Sequence, residues 1–227
     1  MNIQVVSPVT RVGFMGPHGT FTEQALLSQK DLAAADTQPF DSIPDVLNGL
    51  ITSEVDLGFV PIENAIEGAV NVTQDALAFD LDLRIQREVV LDVQLNLLAL
   101  PGTQLNDIHT VVSFPVAVAQ CRNFLRDQLP KAEIQAATST AEAARQVGEQ
   151  SLEGVATISN PLAAELYGLE AVAEAVEDHT GNQTRFLLLA REGVPVATGH
   201  DKTSVVVFQR ANEPGSLLAI LHEFAAR

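Results

Sequence analysis

Val12-Gly13-Phe14-Met15-Gly16-Pro17-His18-Gly19-Thr20-Phe21-Thr22-Glu23 decides the fold class. An apolar run of strand length gives way to a Gly/Pro turn, and Thr20-Phe21-Thr22-Glu23 then reads as a capping box that opens a helix. The same order recurs downstream. A strand near 37–40 leads into Ser42-Ile43-Pro44-Asp45, a cap with proline in the first turn, and a helix with Val46, Leu47, Leu50 and Ile51 at helical spacing. Residues 55–60 read as a third strand, ending in Pro61-Ile62-Glu63-Asn64 and a loop through Gly68 before a helix over 72–78.

The β-rich stretch 84–100 is expected to cross into a second lobe that repeats the alternation. There a strand over 110–113 precedes Pro115 and a helix to Asp127. A strand over 133–136 precedes Ser139-Thr140-Ala141-Glu142, a second capping box, and a helix to about Gly148. A strand over 155–158, the cap Asn160-Pro161 and a strand over 172–176 follow, and 184–190 reads as a buried strand returning to the first lobe. Alternating elements predict an α/β fold with mainly parallel sheets. Such sheets bind ligands where strands end and helices begin, which gathers 16–20, 63–68, 113–115, Ser139 and Thr140 around one cleft. The expected division is a two-lobed domain over 10–191 (lobe 1 about 10–92 plus 180–191, lobe 2 about 93–179) and a linker over 192–201. Beyond it, 203–208 reads as a strand, Asn212-Glu213-Pro214-Gly215 as a turn, and 216–227 as a helix with Leu217, Ile220, Leu221 and Phe224 on one stripe.

Composition narrows the function. The 227 residues carry 29 Asp and Glu against 13 Lys and Arg, a net charge of -16. That balance repels nucleic acid and anionic membrane, and aromatic residues, at 5 %, are too sparse for base stacking. An anionic ligand must then be captured by local groups: an arginine, helix starts or backbone amides. The one cysteine, Cys121, fits a reducing compartment and sits on an apolar helix as a core residue. The N-terminus has neither a basic leader nor a long apolar run, and the expected location is cytoplasmic. The five histidines lack metal-ligand spacing, and no P-loop, dinucleotide fingerprint or nucleophile elbow occurs, so no metal and no cofactor are expected.

Three segments carry chemistry. Gly16-Pro17-His18-Gly19-Thr20 could cradle an anion with backbone amides or be a tight turn. Glu63-Asn64 places an acid beside an amide at a strand end. Asn182-Gln183-Thr184-Arg185-Phe186 offers a hydroxyl, a fixed cation suited to a carboxylate, and an apolar wall. Side chains alternate along a strand, so Thr184 and Phe186 share a face opposite Arg185. Arg185 reaches the ligand only from the strand mouth; the alternative is a pair with an acid such as Asp178.

Together the segments resemble the prephenate dehydratases. The resemblance rests on Gly16 to Thr22, Pro61-Ile62-Glu63-Asn64-Ala65-Ile66-Glu67-Gly68, Ser113 with Gln120-Cys121, Ser139-Thr140-Ala141-Glu142-Ala143-Ala144, and Asn182 to Phe186. It implies two lobes built like a type II periplasmic binding protein and conversion of prephenate to phenylpyruvate without a cofactor. It implies Thr184, Glu63 and Asn64 as catalytic residues. Arg185, Phe186, Gly19, Thr20, Phe21, Ser113, Gln120, Ser139, Thr140 and Asn182 would line the substrate. Phe114 stands where the family has histidine. Related readings are an arogenate dehydratase and a non-catalytic binder of small acids.

Residues 202–227, with Pro214-Gly215-Ser216-Leu217, are similar to the opening strand and helix of an ACT regulatory domain, which binds phenylalanine in this family. The segment reaches Arg227 before the Glu-Ser-Arg-Pro region of that domain, so an incomplete regulatory domain is expected. A homodimer or homotetramer is the expected assembly. For the reaction, Thr184 would donate a hydrogen bond to the departing hydroxide, with Glu63 the alternative proton source. Arg185 and the helix starts at Thr20 and Thr140 would hold the carboxylates.

Overall fold

Residues 10–209 and 213–226 are described in the computed structural model. The first lobe forms as the alternation requires. Strand β1 (Arg11–Met15) precedes helix α1 (Phe21–Leu27), and β2 (Asp36–Phe40) precedes α2 (Ile43–Ile51). Next come β3 (Leu57–Asn64), the two-residue β4 (Gly68–Ala69), α3 (Asn71–Asp75) with a π-helical turn over Ala76–Asp80, and β5 (Arg84–Asp92). The expected third strand thus runs four residues further, through Asn64. Ser42 caps α2 by accepting from the Asp45 N–H.

The second lobe holds β6 (Asn96–Ala99), β7 (Thr110–Ser113), α4 (Pro115–Gln120), α5 (Arg122–Gln128) and β8 (Glu133–Ala136). It continues with α6 (Thr140–Glu149), β9 (Val155–Ser159), α7 (Pro161–Tyr167) and β10 (Glu170–Ala173). The single helix expected from Pro115 to Asp127 is broken at Cys121, whose φ of -116° and ψ of 20° leave the helical region. Strand β11 (Gln183–Ala190) returns to the first lobe.

The sheets are mixed rather than mainly parallel. In the first, the order is β2-β1-β3-β11-β5; β1, β2 and β3 are parallel, whereas β11 runs antiparallel to both neighbours. The second sheet has the order β10-β6-β9-β7-β8, with β7, β8 and β9 parallel and β6 and β10 antiparallel. Strand β6, entered from the first lobe, and β11, entered from the second, each run against both of their neighbours, and these two strands account for the antiparallel pairs between the main strands.

Each sheet is buried on both faces, so its central strands are continuous apolar runs. Along β11, Phe186 and Leu188 pack with Phe14, Leu26 and Phe59, whereas Leu187 and Leu189 pack with Val46, Leu50 and Val60. Leu97, Val111, Cys121 and Ile158 fill one side of the second sheet, and Leu98, Ala144, Val147 and Ala163 the other. The chain segments joining the lobes are tied to each other: Val93 N–H donates to the Asn182 carbonyl at 2.8 Å, and Val176 N–H to the Leu95 carbonyl at 2.8 Å.

Residues 196–227 form a separate unit. Within it, α8 (Ser216–Ala225) starts after Gly215, whose φ of 92° suits glycine, and the Ser216 hydroxyl donates to the Glu213 carbonyl at 2.6 Å. Leu217, Leu221 and Phe224 are exposed. The strand expected over 203–208 is absent: a strand needs a ladder partner, and none of the described residues pairs with this stretch. Asn212 of the expected turn and Arg227 lie outside the described residues. Among the described residues, no helix is long and apolar enough to cross a membrane.

Candidate active site

The turn after β1, the carboxyl end of β3 and the start of β11 meet the second lobe through Gln120 at the end of α4, Asn160 after β9 and Tyr167 of α7. Asn64, the last residue of β3, pairs in register with Thr184 on β11. Its Nδ2 donates to Thr184 Oγ1 at 2.9 Å and to Asn182 Oδ1 at 2.8 Å. Asn182 is buried, and its own Nδ2 donates to Gln120 Oε1 of the second lobe at 3.2 Å. Four of the residues expected at the site therefore form one hydrogen-bonded group. Because Thr184 Oγ1 accepts from Asn64, the hydroxyl's own hydrogen is not used in that bond. The Thr184 O–H is a donor held in place.

Arg185 behaves as strand alternation requires. It lies opposite Glu63 in the β11–β3 ladder, and its guanidinium donates to the Glu63 carboxylate and, at 2.6 and 3.2 Å, to Glu88 Oε2 of β5. Hydrogen bonding to Glu88 first, and to Glu63 next, raises the guanidinium pKa above its ordinary value. Arg185 thus pairs with Glu63 and Glu88 instead of Asp178, whose carboxylate accepts from the Asn123 N–H at the start of α5. Arg185 and Glu63 occupy the face of the sheet opposite Thr184 and Asn64. Phe186 shares Thr184's face but is only 1 % exposed and stacks on Phe59 with ring centroids 5.3 Å apart. In this structure it is core.

The Gly16–Thr20 turn is a contact between lobes, and the amides of Gly16 and Gly19 are taken. Gly16 N–H donates to the Phe40 carbonyl, and Gly19 N–H to Glu23 Oε2 at 2.6 Å. The anion at the Gly19 amide is the chain's own Glu23 carboxylate. Glu23 also meets His18 Nδ1 at 2.7 Å, so its side chain is drawn away from the reciprocal capping-box bond; Thr20 Oγ1 still accepts from Glu23 N–H at 3.3 Å. Across the cleft, Asn160 Nδ2 donates to the Gly19 carbonyl at 3.0 Å and Tyr167 Oη to the His18 carbonyl at 2.8 Å. Gly19 has a φ of 85°, and a Cβ there would stand 3.1 Å from the Tyr167 ring, so both backbone and space call for glycine. Phe21 inserts against the core of the second lobe.

The remaining expected residues surround the same edge of the second sheet. Ser113 ends β7 and is fully buried, donating to the Ile158 carbonyl at 2.7 Å. Ser139 caps α6 by accepting from Glu142 N–H at 3.0 Å, and buried Thr140 begins that helix. Phe114 is exposed and precedes Pro115 at the start of α4.

Sequence reasoning missed Asn160, Tyr167, Glu23 and Glu88. Asn160 was legible as a cap, and its Oδ1 does accept from Ala163 N–H at 2.8 Å, but its second bond across the lobes has no local signature. Cys121 is buried, and its thiol is pushed up to about 12, first by burial and then by Glu177 and Asp178. It stays protonated at neutral pH. Alkylation by iodoacetamide at pH 8 is expected to be at least about 100-fold slower in the folded protein than after unfolding; equal rates would place the thiol at the surface.

The chain is similar to known proteins of one description. A family model described as "Prephenate dehydratase" matches residues 12–194. A protein from Mycobacterium bovis (strain BCG / Pasteur 1173P2) named prephenate dehydratase is 40 % identical over 228 residues, covering 96 % of this chain and 70 % of its own length. The solved prephenate dehydratase of Arthrobacter aurescens, in complex with L-Phe, has a TM-score of 0.84 at 38 % identity and covers 96 % of this chain and 72 % of its own. That of Staphylococcus aureus subsp. aureus Mu50 has a TM-score of 0.79 at 27 % identity, over 96 % and 79 % of the two chains. With a hydroxyl, two asparagines and a glutamine joined where two mixed-sheet lobes meet, and with these likenesses spanning nearly its whole length, the chain belongs to the prephenate dehydratase family.

Proposed function

We propose that this chain is a cytoplasmic carbon–oxygen lyase that converts prephenate to phenylpyruvate, with residues 10–191 as its catalytic domain. The ring C–CO2 bond breaks, and its electron pair passes into the ring, which becomes aromatic. The pair of the opposite C–O bond leaves with the hydroxyl group. One proton taken up converts the departing hydroxide to water, so prephenate and a proton yield phenylpyruvate, carbon dioxide and water. Aromatisation drives the step.

The observation that carries this reading is the hydrogen-bond direction at Thr184. Asn64 Nδ2 donates to its oxygen at 2.9 Å, leaving the O–H to donate to the oxygen that departs. A donor fixed in advance stabilises charge as it develops and requires no reorganisation. The Glu63–Arg185 pairing in the β11–β3 ladder favours Thr184 over Glu63 as the donor. We assign the carboxylates to backbone N–H groups at the starts of α4 and α6, beside Ser113, Ser139 and Thr140.

Incubating the purified chain with prephenate and following phenylpyruvate tests the activity, with arogenate in parallel to distinguish the amino-acid substrate. Absence of either product would leave a binder of small acids. Arg185→Lys tests the anion assignment. With Arg185 held by Glu63 and Glu88, the variant is expected to keep KM within about twofold; a rise above about tenfold would return the guanidinium to the substrate. Residues 202–226 fit the opening of an ACT-type module for phenylalanine, because the exposed stripe of α8 calls for further cover. A homodimer or homotetramer would supply it.

A further inference from the structure

Glu67 belongs to the 63–68 segment but has no role assigned from sequence, and it closes a circuit of hydrogen bonds around the site. Asn64 Oδ1 accepts from the backbone N–H groups of Ile66 and Glu67, both at 2.9 Å. An amide whose oxygen is so engaged has its orientation decided, so both Nδ2 hydrogens face Asn182 and Thr184. Asn182 must then present its oxygen to Asn64 and its nitrogen to Gln120, and Gln120 must present its nitrogen onward. That nitrogen donates to Glu67 Oε1 at 3.3 Å. From Asn64 to Asn182, to Gln120, to Glu67 and back through the Glu67 N–H, every bond points the same way round.

A ring with one sense has two physical properties. Each bond polarises the next, by roughly 10–30 % per bond in condensed phase. The ring also cannot reverse, because an ionised carboxylate only accepts. Gln120 is the only member from the second lobe, held by Asn182 on one side and Glu67 on the other. Its place determines how Asn182 shares the Asn64 amino group with Thr184.

We propose that Glu67 is a positioning residue for the dehydration, acting through Gln120 and Asn182 to hold the Asn64–Thr184 pair in its reactive geometry. The inference rests on the assignment of Thr184 as the donor to the departing oxygen. Glu67 is exposed, so its replacement leaves the fold intact.

The test is steady-state kinetics on prephenate with the full chain. Glu67→Ala is expected to lower kcat about tenfold with KM within about twofold. Glu67→Gln keeps an oxygen that accepts from Gln120 and is expected to restore kcat to within about twofold of the parent. In an Asn182→Ala background the ring is already open, so adding Glu67→Ala should cost nothing more. An unchanged kcat in Glu67→Ala, a loss confined to KM, a Gln variant as poor as Ala, or full additivity with Asn182→Ala would each overturn the proposal. Failure of the assigned reaction itself would show separately, as no phenylpyruvate from the unmodified chain.

Discussion

Thr184→Ala is expected to lower kcat on prephenate by about a hundredfold while KM stays within about twofold. The magnitude follows from removing one preorganised donor to a developing oxyanion, roughly 3 kcal/mol, with tenfold in rate for each 1.4 kcal/mol. The direction follows from the hydrogen bonds. Thr184 Oγ1 is fixed by Asn64 at 2.9 Å, and in the proposed reaction its hydrogen would meet the substrate oxygen only as charge builds there. An interaction confined to the transition state lowers kcat and kcat/KM together. Thr184→Ser retains the hydroxyl and should lose no more than about tenfold. A Thr184→Ala variant with near-parental kcat would end the donor assignment.

Phe186→Ala should do something different: cost about 3–5 kcal/mol of stability, the range for truncating a buried aromatic. The ring is 1 % exposed and lies nearly parallel to Phe59, at 10°, between the packing of β11 and β3. For a domain of this size that corresponds to a fall in Tm of roughly 6–20 °C. Below the transition, KM should stay within about twofold. Had Phe186 been the apolar wall of the substrate, the effects would be reversed, with KM rising and Tm nearly unchanged. Urea unfolding and kinetics on the same preparation separate the two.

Features stored in local chemistry were legible in the sequence. Caps at Thr20, Ser42, Ser139 and Asn160 each accept from the third residue on, and they mark four helix starts. The period of two along β11 correctly set Arg185 apart from Thr184 and Phe186. Features that depend on distant pairing were not legible. Arg185 meets partners 122 and 97 residues away, and the periodicity around either acid says nothing of that. The antiparallel course of β11, β6 and β10 is likewise absent from any local pattern, since a strand buried on both faces reads the same in either direction. The break at Cys121 escaped because apolar spacing continues across it. In the 16–20 turn, the Gly19 amide meets the Glu23 carboxylate of the same chain, a contact that the spacing of the glycines does not reveal.

The Asn160–Gly19 bond has a mechanical consequence. The lobes are already joined where the connecting segments cross, at Val93 and Asn182 beside the start of β11. Asn160 adds a second attachment at the turn after β1, two strands from β11 in the sheet, or about 10 Å at the usual inter-strand spacing. With the Tyr167–His18 and Gln120–Glu67 bonds also spanning the lobes, the cleft is fastened at several places along its edge, and the lobes part only when these bonds break.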